Sequence, residues 1–259
     1  GSQVTDLSPL SQIKTLISLQ FRSTSISDLS PLKGLPLTTL LLSHTDVSDL
    51  SPLQGMPLVE LDFMSTDVTD LTPLKSMPLE ILRLNSQISD LTPLQDLSLK
   101  EFRLNGSEVS DLTPLQGMPL EILDLNHCSN LQDLSPLQDM KLKHLRLFQT
   151  DIRNLSPLAK MPLEELHIGA PVTDISPLKN LPLKTLELSS AELTDLSALK
   201  GIPLEYLKLG YSPQLKDLTP LKGMLLQVLF LEYTSVQDLT PLKGMPLEVL
   251  GLPEDLKLT

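Results

Sequence analysis

The sequence predicts an α/β solenoid, in which short parallel strands stack along one side and tight helical turns return the chain along the other. Three observations carry the prediction. The string Asp-Leu-(Ser/Thr)-Pro-Leu recurs through all 259 residues, starting at Asp6, Asp28, Asp49, Asp70, Asp90, Asp111, Asp133, Asn154, Asp174, Asp195, Asp217 and Asp238, at steps of 20 to 22 residues. A fixed period of this length marks a repeat architecture. Apolar residues keep the same places within each period, and 22 prolines break any long helix. No linker or change of composition interrupts the series, so residues 1–259 are expected to form a single repeat domain of about twelve units. Residues 1–2 (Gly1-Ser2) read as an expression scar and 253–259 as an irregular C-terminal end.

The unit from Leu58 to Pro78 serves as the specimen. Its apolar residues are Leu58, Leu61, Phe63, Val68, Leu71, Leu74 and Met77, at positions 1, 4, 6, 11, 14, 17 and 20. The alternation at positions 4 and 6 has the period of a strand with two side chains inward and their neighbours outward. The later spacing of three is that of a tight helical turn. In Leu71-Thr72-Pro73-Leu74 the hydroxyl of Thr72 is expected to cap the turn, with Pro73 at the first helical position, where its missing N–H costs nothing. So short a segment fits a 3-10 turn better than an α-helix. Glycine at position 19 (Gly34, Gly55, Gly117, Gly201, Gly223 and Gly244) supplies the turn back, and the proline that follows favours extended chain before the next strand. No unit can bury its leucines alone, so neighbours must stack into one continuous core.

The consensus Leu-x-x-Leu-x-Leu-x-x-Thr-x-Val-x-Asp-Leu-Ser/Thr-Pro-Leu resembles a bacterial leucine-rich repeat over essentially the whole chain. Its Asp-Leu-Ser-Pro-Leu segment is similar to the internalin type. The Gly-Met-Pro-Leu linker and the Thr at position 9 look more like the repeats of planctomycete bacteria, which are often joined to protein kinases. The resemblance implies a right-handed leucine-rich-repeat horseshoe, with a concave parallel β-sheet that usually binds another macromolecule and short 3-10 turns on the convex side. The family's usual ninth residue is Asn. Here Thr24, Thr45, Thr66, Ser107, Thr150, Ser212 and Thr234 stand there, which predicts a leaner ladder of hydrogen bonds, since a hydroxyl makes fewer than an amide. Cys128 at the same position reads as a buried filler, and Asn154 for Asp and Ala198 for Pro as tolerated single departures.

Composition narrows the function. The net charge of −12 disfavours binding to bare phosphate backbones, so no nucleic-acid partner is expected, and the apolar runs are too short to span a bilayer. A single cysteine excludes a disulfide framework and a cysteine-based zinc site. Eleven of the 32 acidic residues are the motif Asp, and without them 21 acidic residues face 20 basic ones. Each motif Asp is expected to bond its own turn; one carboxylate per turn falls short of the oxygen cage calcium prefers, so no metal and no cofactor is expected. No nucleophile elbow, Walker loop or zinc-spaced His pair occurs, and an open sheet lacks a water-excluding pocket, so the chain is not expected to be an enzyme.

The candidate site lies on the outward strand positions 3, 5, 7 and 8. All four histidines (His44, His127, His144, His167) and all three tyrosines (Tyr206, Tyr211, Tyr233) fall there, with Phe148 and Phe230, whereas Phe21, Phe63 and Phe102 take core positions. Four of the five outward aromatic rings lie between Tyr206 and Tyr233. In a chain only 3% aromatic, such a concentration is a binding signal. Position 5 forms a charge column, Arg83, Arg103, Asp124, Arg146, His167, Glu187 and Lys208, whose alternation favours cross-strand pairing. Arg83 and Arg103 are neighbours of like sign with only Glu101 and Asp124 close by to relieve them, and with His144, Arg146 and His167 they are expected to make the middle of the sheet basic, suited to an acidic or phosphorylated peptide or a sugar.

The first reading is therefore a non-catalytic module that binds a protein or peptide on its concave face. Arg83, Arg103, His144, Arg146, Phe148 and His167 form the centre, and Tyr206, Tyr211, Phe230 and Tyr233 the C-terminal part. A second reading makes the array a structural spacer of a larger protein, kinase-linked or at the cell surface. Pro253-Glu254-Asp255 guards the C-terminal edge, so the N-terminal edge is expected to be the less protected, open to pairing with a second copy as a homodimer.

Overall fold

The computed structural model describes residues 4–84 and 87–255. By its contacts the chain divides into two compact units, Gly1–Leu131 and Gln132–Thr259. The first holds strands β1 (Ser18–Gln20), β2 (Thr39–Leu41), β3 (Glu60–Asp62), β4 (Ile81–Leu84), β5 (Glu101–Leu104) and β6 (Ile122–Asp124). The second holds β7 (His144–Phe148), β8 (Glu165–Gly169), β9 (Thr185–Ser189), β10 (Tyr206–Lys208), β11 (Val228–Phe230) and β12 (Val249–Gly251). Within each unit the strands pair in sequence order, all parallel, in a register of one repeat: Leu40 with Leu61, Leu61 with Leu82, Leu82 with Phe102. A 3-10 turn precedes every strand, and no α-helix occurs among the described residues. Among the described residues no helix is long and apolar enough to cross a membrane. The repeat solenoid expected from the sequence is the fold observed.

The core is the inner row of each unit. All seven apolar residues of the specimen repeat, Leu58, Leu61, Phe63, Val68, Leu71, Leu74 and Met77, are buried. Phe102 is buried as well, whereas Phe21, in the first repeat, is only half-buried because no strand precedes β1 to cover it. Cys128 is buried too, its sulfur 3.5 Å from the Leu104 carbonyl, and burial pushes the thiol pKa up, away from reactivity. Both ends of the array expose apolar side chains: Ile13 and Ile17 at one, Val249 and Leu250 at the other. Leu250 stands where other repeats bury their leucine, so the C-terminal edge is no better covered than the N-terminal one.

The turns differ from expectation in one respect. Thr72 does not cap its turn. The N-cap residue is Leu71 (φ −93°, ψ −2°), with no side-chain cap, and Asp70 Oδ1 accepts the N–H of Thr72 at 2.8 Å. The motif Asp, two residues ahead, has the reach to the first free N–H that a residue within the turn lacks. The same bond recurs at every repeat, and Asn154 makes it with its amide oxygen, 2.9 Å from Ser156 N. The turn also forms around Ala198, where proline is missing. At position 9, Thr45, Thr66, Thr150 and Thr234 donate to the carbonyl three residues back, each inside its own repeat. Thr24, also buried, has no partner for its hydroxyl.

These bonds set a pH response. Hydrogen bonds from the following Ser or Thr, hydroxyl and backbone N–H together, hold ten motif aspartates (Asp6, Asp28, Asp70, Asp90, Asp111, Asp133, Asp174, Asp195, Asp217, Asp238) below the ordinary carboxylate pKa. A depressed folded-state pKa gives stability that is present above the unfolded value and lost as pH falls through the folded one. The melting temperature should therefore be insensitive to these groups above about pH 5 and fall progressively below about pH 4. Asn154 shows that an amide can keep the bond without the charge. Replacing Asp133 and Asp174 by Asn should make the acid decline in a thermal-unfolding series shallower, and an unaltered decline would remove the motif from its cause.

Candidate functional site

The strand pleat places positions 3 and 5 on the outer face of each sheet, and what lies there is a set of ion pairs. In the first unit Arg83 on β4 sits between two glutamates, with Nη1 2.7 Å from Glu60 Oε1 and Nη2 2.9 Å from Glu101 Oε1. The same Glu101 oxygen takes Arg103 Nε at 2.8 Å. Burial alone would lower the Arg83 pKa, but its two glutamates outweigh it and the net shift is upward. Arg83 and Arg103 do lie side by side in register. They are clamped, not free.

In the second unit Glu165 on β8 plays the part of Glu101. Its Oε1 accepts Arg146 Nη2 at 2.7 Å and Nε at 3.1 Å, while Oε2 lies 3.2 Å from His144 Nδ1. His167 Nε2 is 3.0 Å from Glu165 Oε1, an electrostatic contact without hydrogen-bond geometry. Burial pushes the Glu165 carboxyl pKa up, but the bonds from Arg146 and His144 outweigh it and the net shift is downward. Glu187 then takes His167 Nδ1 at 3.7 Å, Lys208 Nζ at 3.8 Å and the Tyr206 hydroxyl at 3.3 Å. The expectation of a basic middle strip is thus corrected. Glutamates at position 3 of the neighbouring strands (Glu60, Glu101, Glu165) neutralise the column at position 5, and their places were readable in the sequence once the two columns are set side by side. A further row of ion pairs stands at position 2, where Lys100 Nζ meets Glu80 at 2.8 Å and Lys184 Nζ meets Glu164 at 2.7 Å.

The aromatic residues separate into two kinds. Phe148 and Phe230 each lie over a glycine on the next strand, in register with Gly169 and Gly251. A β-carbon on Gly169 would sit 2.9 Å from Phe148 Cδ2, and one on Gly251 would sit 2.6 Å from Phe230 Cδ1. These rings cover bare strand backbone, a structural use that residue counting does not reveal. A double-mutant cycle checks it. Phe148→Ala should cost about 1 kcal/mol in the parent protein and almost nothing beside Gly169→Val, which already displaces the ring. Additive losses in denaturant unfolding would contradict the contact.

Tyr211 and Tyr233 are different. They occupy position 8, where the chain turns left-handed: φ is 57° at His44, 60° at His127, 54° at Gln149, 53° at Tyr211 and 58° at Tyr233. Both tyrosines are exposed, at 62% and 50%, and their rings stack at 4.6 Å and 13°. Tyr206 and Phe230, on the strands of the same two repeats, form a tilted pair with ring centroids 6.0 Å apart. Of the expected site residues, the second unit therefore gathers His144, Arg146 and His167 around Glu165, and Tyr206 with Phe230. The stacked Tyr211 and Tyr233 follow in the next positions of the same two repeats.

An outward row of side chains on stacked parallel strands, backed by a leucine core and closed by Asp-capped 3-10 turns, defines a leucine-rich-repeat module. The particular likeness is to internalins. One from Listeria monocytogenes, InlF, matches with a TM-score of 0.88 at 29% identity, over 99% of this chain and 78% of that one. The functional domain of InlJ from the same bacterium, which includes a cysteine ladder, matches with a TM-score of 0.65 at 22% identity, over 96% of this chain and 56% of that one. No protein-family model and no curated protein matches the chain. The chain has the leucine-rich-repeat fold and is similar to internalins, and the likeness to InlF supports a protein-interaction repeat module.

Proposed function

We propose that the chain is a non-catalytic recognition module that binds a protein or peptide on its concave sheet face, with Tyr206, Tyr211, Phe230 and Tyr233 as the anchoring residues. The observation that carries the proposal is the Tyr211–Tyr233 pair. Holding a side-chain-bearing residue in the left-handed region costs roughly 1–2 kcal/mol, whereas an aromatic stack returns about 0.5–1.5 kcal/mol for the pair. The two tyrosines therefore bring no net gain in folding stability, and Gly or Asn would serve the turn better, as Gly106 does. Strain held at an exposed aromatic pair fits a binding role. In the second unit His144, Arg146 and His167, paired with glutamate, supply ordered polar groups with which a partner's polar groups can compete for bonds, as Arg83 and Arg103 do separately in the first unit. Phe148 belongs with the second-unit groups through its cover of Gly169.

Selection from a displayed random-peptide library tests the proposal. Peptides enriched on the parent protein should bind it in solution and fail to bind a Tyr206→Ala, Tyr211→Asn, Tyr233→Asn variant of equal thermal stability. Equal binding to both would remove the aromatic cluster from the site.

A further inference from the structure

We infer that the partner segment carries a lysine or arginine side chain, which docks against the Glu232 carboxylate beside the Phe230 and Tyr206 rings. This rests on the recognition proposed above and adds the chemistry of what is recognised.

Glu232 is the exception among the glutamates of its sheet face. Glu165 holds Arg146 and His144, and Glu187 holds Lys208 with the Tyr206 hydroxyl. Glu232, at position 7 two residues after Phe230, is half-buried and has no ion pair or hydrogen-bond partner for its carboxylate among the described residues. Its carboxylate lies over Gly251, where any β-carbon would collide with it, and Phe230 Cδ1 would be 2.6 Å from the same β-carbon. The missing side chain at Gly251 thus makes the space that the carboxylate and the ring share. A half-buried carboxylate gains from an opposite charge nearby. The faces of Phe230 and Tyr206 attract the same kind of group, because a cation over an aromatic ring is held by the ring's quadrupole.

Two carboxylates act on the Tyr206 hydroxyl. The Tyr206 phenol pKa is raised by burial first, then by the Glu187 and Glu232 carboxylates. Lys208 is the nearby cation on that face; it stands in register between Glu187 on β9 and Phe230 on β11, and its Nζ leans to Glu187 at 3.8 Å. One carboxylate is too few to hold a metal ion. A guanidinium or ammonium on a flexible stem, whose methylenes can lie along the rings, matches both the charge and the apolar surface. The charge expected of the partner is therefore the reverse of that suggested by the sequence, because the arginines are already paired and Glu232 is not.

The same displayed random-peptide library is selected in parallel on the parent protein, on Glu232→Gln and on Glu108→Gln, an exposed carboxylate of the first unit. The exchange of Glu for Gln at 232 keeps the shape over Gly251, so the fold is retained, which a thermal melt verifies. Peptides selected on the parent and on Glu108→Gln should share a Lys or Arg at a fixed distance from an apolar residue. The Glu232→Gln selection should lose that enrichment, and a selected basic peptide should bind Glu232→Gln about tenfold more weakly than the parent. Peptides that depend on Tyr206, Tyr211 and Tyr233 but show no basic enrichment, or bind Glu232→Gln unchanged, overturn the inference and leave the recognition role standing. No enrichment on the parent protein overturns both.

Discussion

Replacing Phe102 by alanine is expected to cost about 3–5 kcal/mol of stability, among the largest losses available in the first unit. Phe102 is fully buried on β5 and in register with Leu82 on β4 and Leu123 on β6, so the cavity opens between three consecutive strands. A solenoid repeat touches only its neighbours, and its stability is close to a sum of repeat and interface contributions. No distant element can collapse into the space. Phe21→Ala provides the internal comparison. The ring at that position is half-buried in the first repeat, and its removal should cost less than half as much. Denaturant midpoints for the two variants check the order, and equal losses would mean that the inner row is not packed as described.

The second large effect concerns binding. Tyr206→Ala with Tyr211→Asn and Tyr233→Asn should weaken a selected peptide by about 100-fold or more, since anchoring aromatics contribute 2 kcal/mol or more each when truncated. Asparagine is chosen at 211 and 233 because it tolerates the left-handed backbone that alanine does not. The melting temperature should move by only a few degrees, because strain relief and the lost stack nearly offset each other. Loss of binding with unchanged stability marks a recognition surface, whereas a large fall in stability with little change in affinity would mark the rings as packing of the solenoid.

Much of the architecture was legible because the repeat states it a dozen times. The period, the inner row from Leu58 to Met77 and the 3-10 turn at Thr72-Pro73-Leu74 follow from spacing alone. What escaped was chemistry between neighbours one repeat apart. The arginines at 83, 103 and 146 suggest a basic strip in the sequence because only Glu101 and Asp124 stand out as relieving charges, whereas Glu60 on the strand before Arg83 and Glu165 on the strand after Arg146 clamp them as well. The cap was assigned to Thr72 because hydroxyls often cap, while Asp70 holds the bond because it stands two residues ahead. The sequence places Phe148 and Phe230 outward but gives no sign of their cover over Gly169 and Gly251, since a glycine on the following strand has no visible link to them. The left-handed backbone at position 8 also left no trace, because Ser, His, Gln and Tyr all stand there and only Gly106 hints at it. The aromatic concentration near Tyr206–Tyr233 was legible, but the reason two of its members are strained was not.

The most direct test of the account follows the side-chain NMR signals of the protein as its tightest selected peptide is added. The account predicts that the largest shifts fall on Tyr206, Tyr211, Phe230 and Tyr233, with smaller ones on Lys208 and Glu232. Shifts confined to the 3-10 turns on the opposite side, such as Ser176–Leu178 and Ser197–Leu199, would contradict it.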